Sequence, residues 1–347
     1  MPIAEYTPEL FGDLKQFVAR LPKPVNLIHR PFVDYYYADN RWCKLFLYYS
    51  DSGEILGTLG RELMRFEYKS REMLIRFGTN WYSLQRGVGT ELGKFSVASA
   101  PGSFGLMFTG SEDTLAILHH RGWTFIPGVK GYFLNNPYPI YAGDSFLRKS
   151  AKSIVRSLKR KIIPKFALRI PSHIASGLFV REETSYSEDL LPSRSSFVFR
   201  FAPTVDYLKW RYNLSLSFAR YRLFRLIKSG ACVGYVILNE SPDCLTVAHS
   251  DAEEATTLAY GILLSILEIG RSDRHPRTVF LATCHPGMQQ VFEQFGFRIP
   301  RKEGDMPFAF RNLPPEFDKT PANSNWLINF DWGDNTLRLP FLDQGGA

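Results

Sequence analysis

Two glycines, Gly87 and Gly89, stand one residue apart in "LQRGVGT", residues 84–90, between a strand-like run, "EMLIRFGTNWYSL", and a helix-like one, "GTELGKFSVASA". That order can do chemistry without any side chain. A helix start offers unbonded N–H groups and a favourable dipole, and glycine removes the Cβ atoms that would hold a diphosphate off the backbone. The same stretch also reads as a tight turn that needs glycine and binds nothing. Proton transfer would fall to Glu62 or Glu67 on the preceding strand-like run "RELMRFEY", or to Asn80 and Tyr82 on the next. Trp210 and Arg211, adjacent in "YLKWRYN", combine a stacking surface with a guanidinium, which suits a sugar or a carboxylate. His119–His120, His249 with Asp251, and His285 are further titratable candidates. Each has a plainer reading, as a solvated helical pair, a strand-end hydrogen bond and a helix cap.

The elements that position these residues fall into two halves of similar rhythm. In the first, "TPELFGDLKQFVARLP" reads as a helix with Thr7 as N-cap and Pro8 in its first turn. The aromatic run "VDYYYADNRWCKLFLYY" suits a loop or strand packed on a sheet. "KLFLYYS", "ILGTLGRELMRFEY" and "EMLIRFGTNWYSL" read as strands; a helix, the strand "FGLMFTG", the helix "SEDTLAILHHRGW" capped by Ser111, and a last strand "GYFL" follow. In the second half "ARYRLFRLIKSGACVGYVILNE" gives two strands and a Ser-Gly turn. "CLTVAHSD" is a strand, "EEATTLAYGILLSILEIGRS" a helix, "RTVFLATC" a strand and "HPGMQQVFEQFGFRIP" a helix. Strand, strand, strand, helix, strand, helix occurs twice, which predicts a duplicated α/β unit with a mixed sheet.

This pattern resembles the GCN5-related N-acetyltransferase superfamily, in particular its tandem-domain members. In that family a splayed strand is followed by an Arg/Gln-x-x-Gly-x-Gly/Ala loop and a helix that bind the pyrophosphate of coenzyme A. Leu84-Gln85-Arg86-Gly87-Val88-Gly89 matches both glycines and departs at Leu84, where the family has Arg or Gln. The resemblance implies two tandem acyl-CoA N-acyltransferase-like domains of α/β (α+β mixed sheet) class. It implies acetyl-CoA or another acyl-CoA as co-substrate, held by Trp81, Ser83, Gln85, Arg86, Gly87, Val88, Gly89 and Thr90. Glu67, Tyr82 and Asn80 would serve catalysis, Trp210 and Arg211 the acceptor, with no metal. The family's tyrosine acid is replaced by Leu118 in "AILHHRGW" and by Phe292 in "VFEQFGF". The second half has no glycine loop; "HSDAEEATTLAYG" stands there, with three acids that would repel a diphosphate. Only the first half is therefore expected to bind the coenzyme. The acceptor is expected to be an amine, in the bacterial surface-polysaccharide relatives an amino sugar. An aminoacyltransferase of the FemABX type and a non-catalytic binding protein are the alternatives.

At 347 residues the chain suits two domains, expected at 1–145 and 189–347 around a linker at 146–188. The net charge of +8 is concentrated: residues 148–169 hold nine Lys and Arg and no acid, leaving 8 − 9 = −1 for the rest. Nucleic acid is not expected as a partner. Within 146–165 Leu147, Ala151, Ile154, Val155, Leu158 and Ile162 recur at helical spacing among the bases. Such a helix lies on an anionic membrane surface or packs between domains. The four cysteines show no zinc-like spacing, and the first residues carry no signal-peptide pattern, so a cytoplasmic protein, peripheral at the inner membrane face or free, is expected.

Overall fold

The computed structural model describes residues 2–108, 110, 112–134, 177–241, 244–272, 278–299, 305–311 and 326–331. The basic stretch 146–165 and Ser111 lie outside the described residues.

The doubled order is present. Strands β2 (Cys43–Tyr49), β3 (Ile55–Tyr68) and β4 (Arg71–Ser83) lead to helix α3 (Val88–Ala98), strand β5 (Phe104–Phe108) and helix α4 (Glu112–His120). Strands β10 (Tyr221–Lys228), β11 (Ala231–Glu240) and β12 (Cys244–Ala252) lead to α6 (Ala255–Ser272), β13 (Thr278–Thr283) and α7 (Pro286–Gln294). The turns of both hairpins, Lys69-Ser70 and Ser229-Gly230, have two consecutive residues at positive φ, the geometry whose twist matches paired strands.

Two mixed sheets result. The first runs β1 (Ile3–Glu5), β2, β3, β4, β5, β14 (Phe308–Arg311), β6 (Thr124–Phe125), with β9 (Phe199–Phe201) pairing the far end of β3. The second runs β7 (Lys130–Leu134), β13, β12, β11, β10, β8 (Leu178–Glu183). Short strands cross the boundaries expected at 1–145, 146–188 and 189–347. Strand β7 leaves the first segment for the second sheet, β9 and β14 return to the first, and β8, inside the expected linker, is an edge of the second. Short strands join whichever sheet has an unpaired edge, and local pattern does not say which.

The sheets face each other. Met64 and Phe66 of β3, Ile75 and Phe77 of β4 and Phe108 of β5 share one apolar cluster with Leu223 of β10, Tyr235 and Ile237 of β11, and Phe280 of β13. Helices α6 and α7 cover the outer face of the second sheet, where Leu258, Ile262, Leu263, Ile266 and Ile269 form the buried stripe of α6. Helix α3 covers the outer face of the first through Val88 and Leu92, against Phe46, Leu56 and Leu59. Close approach here needs Gly57, where a Cβ would lie 2.6 Å from Val88.

The aromatic run is a correction. Arg30–Tyr37 is helix α2, not loop or strand, with Pro31 in its first turn. Phe32, Val33, Tyr36 and Tyr37 are buried, a helical i, i+1, i+4, i+5 set that three consecutive tyrosines disguise. Thr7 precedes a short 3₁₀ turn rather than capping α1 (Phe11–Ala19) itself.

Candidate functional site

Strand β4 pairs with β5 in parallel only at Ile75, Arg76 and Phe77, opposite Phe104, Gly105 and Leu106. Beyond Phe77 β4 runs on to Ser83 and the two strands part. Just past the fork β4 carries a bulge, the register with β3 shifting between Gly60↔Thr79 and Thr58↔Tyr82. Asn80 sits in it with φ +44, a left-handed conformation that asparagine tolerates better than most residues. The Thr58 hydroxyl donates to the Asn80 carbonyl at 2.9 Å, and the Asn80 side-chain amide donates to the Tyr37 hydroxyl at 2.7 Å, itself 3.2 Å from Thr79 Oγ1. This neutral set is buried, and among the described residues Asn80 Oδ1 has no hydrogen-bond partner. Tyr37 and Thr79 belong to it and are not evident from the sequence. Gly60 is their signal, since a Cβ there would lie 2.2 Å from Thr79 Oγ1.

The glycine loop lies where expected. Gly87 is the N-cap of α3 with φ +92, and a Cβ added to it would meet nothing within 4 Å. Gln85, Arg86 and Gly87 are exposed, Val88 is buried against the sheet, and Thr90 N and Glu91 N both donate to Gly87 O. The N–H groups of Val88 and Gly89 are left as the free donors of the first turn. Gly89 serves packing: the Trp81 indole N–H donates to Gly89 O at 3.1 Å, and a Cβ there would lie 3.1 Å from that nitrogen, with Ser83 Oγ at 3.6 Å. Trp81 thus pins the bulge to the helix.

A cavity of about 310 Å³ opens between α3 and α4 above the fork. Trp81, Thr90, Gly93 and Val97 line one side, Ile117 and Leu118 of α4 the other, Gly78 and Leu106 the floor. It follows α3 from Thr90 to Ala98, about 12 Å at 1.5 Å per residue. Arg76, Lys94, Arg121 and Arg311 also line it, and no carboxylate is among the described lining residues. Lys94 is paired at 2.7 Å with Glu91. Leu118 is an apolar wall. His119 is turned away and stacks on Phe125 at 4.0 Å, and His120 does not reach the cavity.

Several expected residues lie elsewhere. Glu67 is seven residues along β3 from Gly60, about 23 Å from the bulge at strand rise, so it does not join Asn80 and Tyr82. It pairs with Arg200 at 2.9 Å, whose other arm holds Asp251 at 2.6 Å. Burial pushes Asp251 up to about 7 despite that partner, and pulls His249 down to about 3. Asp251 and His249 sit between the sheets, His249 at 2.9 Å from the Tyr235 hydroxyl and stacked under Tyr212. Tyr82 is half-buried against the inter-sheet core. His285 is a cap, its ring accepting from Met288 N. Arg211 is 1% exposed and spent on Glu62 and Asp331, leaving it no face for an acceptor. Trp210 stacks on Trp42 at 5.0 Å, and Arg41 covers the Trp42 ring at 4.1 Å. Trp42 itself lines a second cavity of about 390 Å³ with Leu63, Leu74, Phe201 and Tyr207, rimmed by Arg41 and Arg65. Leu63 is the cross-strand partner of Arg76, so this cavity adjoins the first across a single residue pair.

The second half repeats the fork and fills it. β12 pairs with β13 only from Cys244 to Thr246, and the strands then part. Between them runs the chain's own segment Trp326–Asp331, buried throughout. Asp331 N donates to Ala248 O, and Asn329 Oδ1 accepts from Ser250 N at 2.9 Å while Asn329 Nδ2 donates to Ser250 O at 3.2 Å. On the β13 side the Cys284 thiol reaches Trp326 O at 3.7 Å and Phe330 packs edge-on to Phe280. Replacing Asn329 with Leu strands the buried N–H and C=O of Ser250 and is expected to cost about 2–4 kcal/mol, read from the urea midpoint. A cost below about 0.5 kcal/mol would mean that the segment is not anchored there.

No group of three or more His, Cys, Asp or Glu among the described residues stands where it could hold a metal. No described helix is long and apolar enough to cross a membrane.

No family model matches the chain, and no curated protein matches its sequence. Solved structures do. A GCN5-related N-acetyltransferase from Anabaena variabilis superposes with a TM-score of 0.55 at 10% identity, over 89% of this chain and 72% of that one. One from Kribbella flavida gives 0.52 at 13%, over 89% and 70%. A tandem GNAT protein from the clavulanic acid biosynthesis pathway gives 0.50 at 12%, over 89% and 96%. At these identities the likeness is one of fold: a tandem GCN5-related N-acetyltransferase fold, as the sequence pattern suggested.

Proposed function

We propose that the chain is an acyl-CoA-dependent N-acyltransferase, with its coenzyme in the first half alone and an amine as acceptor. The fold is a general setting for acyl transfer; the observation that carries the reading is the cavity at the β4–β5 fork. It starts at Thr90, in the first turn of the glycine-capped helix and just past the loop itself, follows α3 down to the parted strands, and has cations but no carboxylate among its described walls. The N–H groups of Val88 and Gly89 would take the diphosphate, with Arg86 beside it, and the pantetheine arm would lie between Trp81, Gly93 and Leu106. The bound thioester supplies an activated acyl carbon. The bulge at Asn80 leaves backbone groups of β4 outside the ladder, available to the thioester carbonyl. The second half's filled fork supports one coenzyme per chain.

The acceptor belongs in the cavity of Trp42 and Tyr207, which adjoins the coenzyme cavity across the Leu63–Arg76 pair. Aromatic walls with two arginines at the rim suit a sugar, and an amino sugar carries the amine. The nine basic residues of 148–169 favour an anionic membrane as the place where such an acceptor is met.

Calorimetry with acetyl-CoA tests the core of this, with one site per chain expected. Two sites, or none, would sink it. In steady-state kinetics Trp42→Ala should raise the amine's KM about tenfold and leave the coenzyme's Kd alone, while Glu67→Gln changes neither.

A further inference from the structure

The end of the coenzyme cavity farthest from the glycine loop is more basic than a neutral pantetheine arm requires. Arg76 on β4 is 6% exposed, and Arg61, its neighbour on β3, is 9% exposed. Arg311 on β14 and Arg121 after α4 complete the group. Arg61 Nη1 donates to the Ser99 carbonyl and hydroxyl at the C-terminus of α3, the favourable end of the helix dipole for a cation, while its Nε is buried without a hydrogen-bond partner among the described residues. Arg76 Nη1 donates to the neutral Ser103 hydroxyl at 2.9 Å, and no carboxylate is among the described residues that line this end of the cavity. Burial, with the charges of Arg311 and Arg61, holds Arg76 below the usual guanidinium value. A buried guanidinium without a counter-charge costs several kcal/mol, so an anion completing this group would remove a real penalty.

The shape of the place agrees. Gly105 of β5 pairs with Arg76 on one side and Arg311 on the other, so the two arginines flank a residue with no side chain, about 10 Å apart at two strand spacings. The Trp123 indole lies across Gly105, where a Cβ would meet it at 2.9 Å. The indole fills the space over Gly105, so the slot is an aromatic surface with guanidinium groups on both sides. It lies about 12 Å along α3 from the diphosphate cradle, too far for the same phosphates to fill both.

We infer, resting on the acyl-transfer reading, that this slot takes a carboxylate at the far end of the acyl group, so that the donor is the coenzyme thioester of a dicarboxylic acid. In the transfer the thioester C–S bond breaks and an amide C–N bond forms. The amine proton ends on the coenzyme thiol, and the second carboxylate is held, unchanged, by Arg76 and Arg311. Guanidinium forks match carboxylates in a way lysine does not, and the slot uses arginine throughout.

The experiment is calorimetric titration of CoA, acetyl-CoA and succinyl-CoA into the full chain and into Arg311→Met and Arg121→Met. These two sites are less buried than Arg76, so folding is less at risk. The wild type should bind succinyl-CoA at least about tenfold tighter than acetyl-CoA, and Arg311→Met should cut that preference below about threefold with acetyl-CoA affinity unchanged. Equal binding of the two thioesters by the wild type overturns the carboxylate slot and leaves the acyltransferase reading standing. If Arg311→Met weakens all three ligands alike, the arginines hold coenzyme phosphates and the inference is wrong. If the wild type binds none of them, the acyltransferase reading itself fails, and this one with it.

Discussion

Gly87→Val is expected to reduce acetyl-CoA affinity by about a hundredfold or more, the largest effect of any single change at the loop. The side chain itself would meet nothing, since no atom lies within 4 Å of the Cβ position. The damage comes through the backbone. Gly87 holds φ +92, which a β-branched residue adopts only at a cost of about 1–3 kcal/mol. The chain relieves that by rotating the peptide that aims the Val88 and Gly89 N–H groups outward. Each hydrogen bond to a charged phosphate is worth about 1.5–3 kcal/mol, so losing two accounts for the hundredfold. Strain alone would lower stability without touching binding, and Gly53 provides the control. It sits in the β2–β3 turn with φ +82 and equally open space. Gly53→Val should lose similar stability in urea and bind acetyl-CoA like the wild type. Should the two variants bind alike, the cradle is elsewhere.

Arg211→Ala is expected to cost about 3–5 kcal/mol of stability, out of a total that for a protein of this kind is about 5–15 kcal/mol. Its guanidinium lies 3.4 Å from Glu62 and 3.3 Å from Asp331, and donates to the Tyr36 hydroxyl at 2.8 Å between the rings of Tyr36 and Tyr212. Glu62 also accepts from Tyr207, and Tyr36 returns a hydrogen bond to the Arg211 carbonyl. One arginine therefore ties β3, α2, α5 (Val205–Arg211) and the segment ending at Asp331. Removing it takes from the buried Glu62 and Asp331 the guanidinium that lies within 3.4 Å of each. Adding Asp331→Asn to Arg211→Ala should recover part of the loss by removing one buried charge, a coupling that a double-mutant cycle in urea reads directly. A single-variant loss below about 1 kcal/mol, or a loss of acceptor binding at full stability, would restore Arg211 to the acceptor site.

The sequence by itself determined the doubled order of strands and helices, because each long element carries its own periodicity. β3, β4 and α6 needed no partner to be recognised. It determined which half has a glycine loop between strand and helix, because Gly87 and the strand and helix around it are contiguous, and because the second half puts Asp251, Glu253 and Glu254 in the corresponding place. The tertiary structure alone decided what depends on residues distant in the chain. Glu67 and Asn80 look like neighbours on adjacent strands, but a hairpin's two arms diverge from its turn, and the register puts Glu67 at the turn and Asn80 at the other end. Arg211 looks like a ligand-binding side chain until Glu62 and Asp331, 149 positions back and 120 on, close around it. The exchange of β7, β9 and β14 between sheets, the plug of Trp326–Asp331 in the second fork, and the convergence of Arg76 with Arg311 over Gly105 leave no local trace. They are set by which strand edges remain open once the long strands have paired, and that is a property of the assembled sheets.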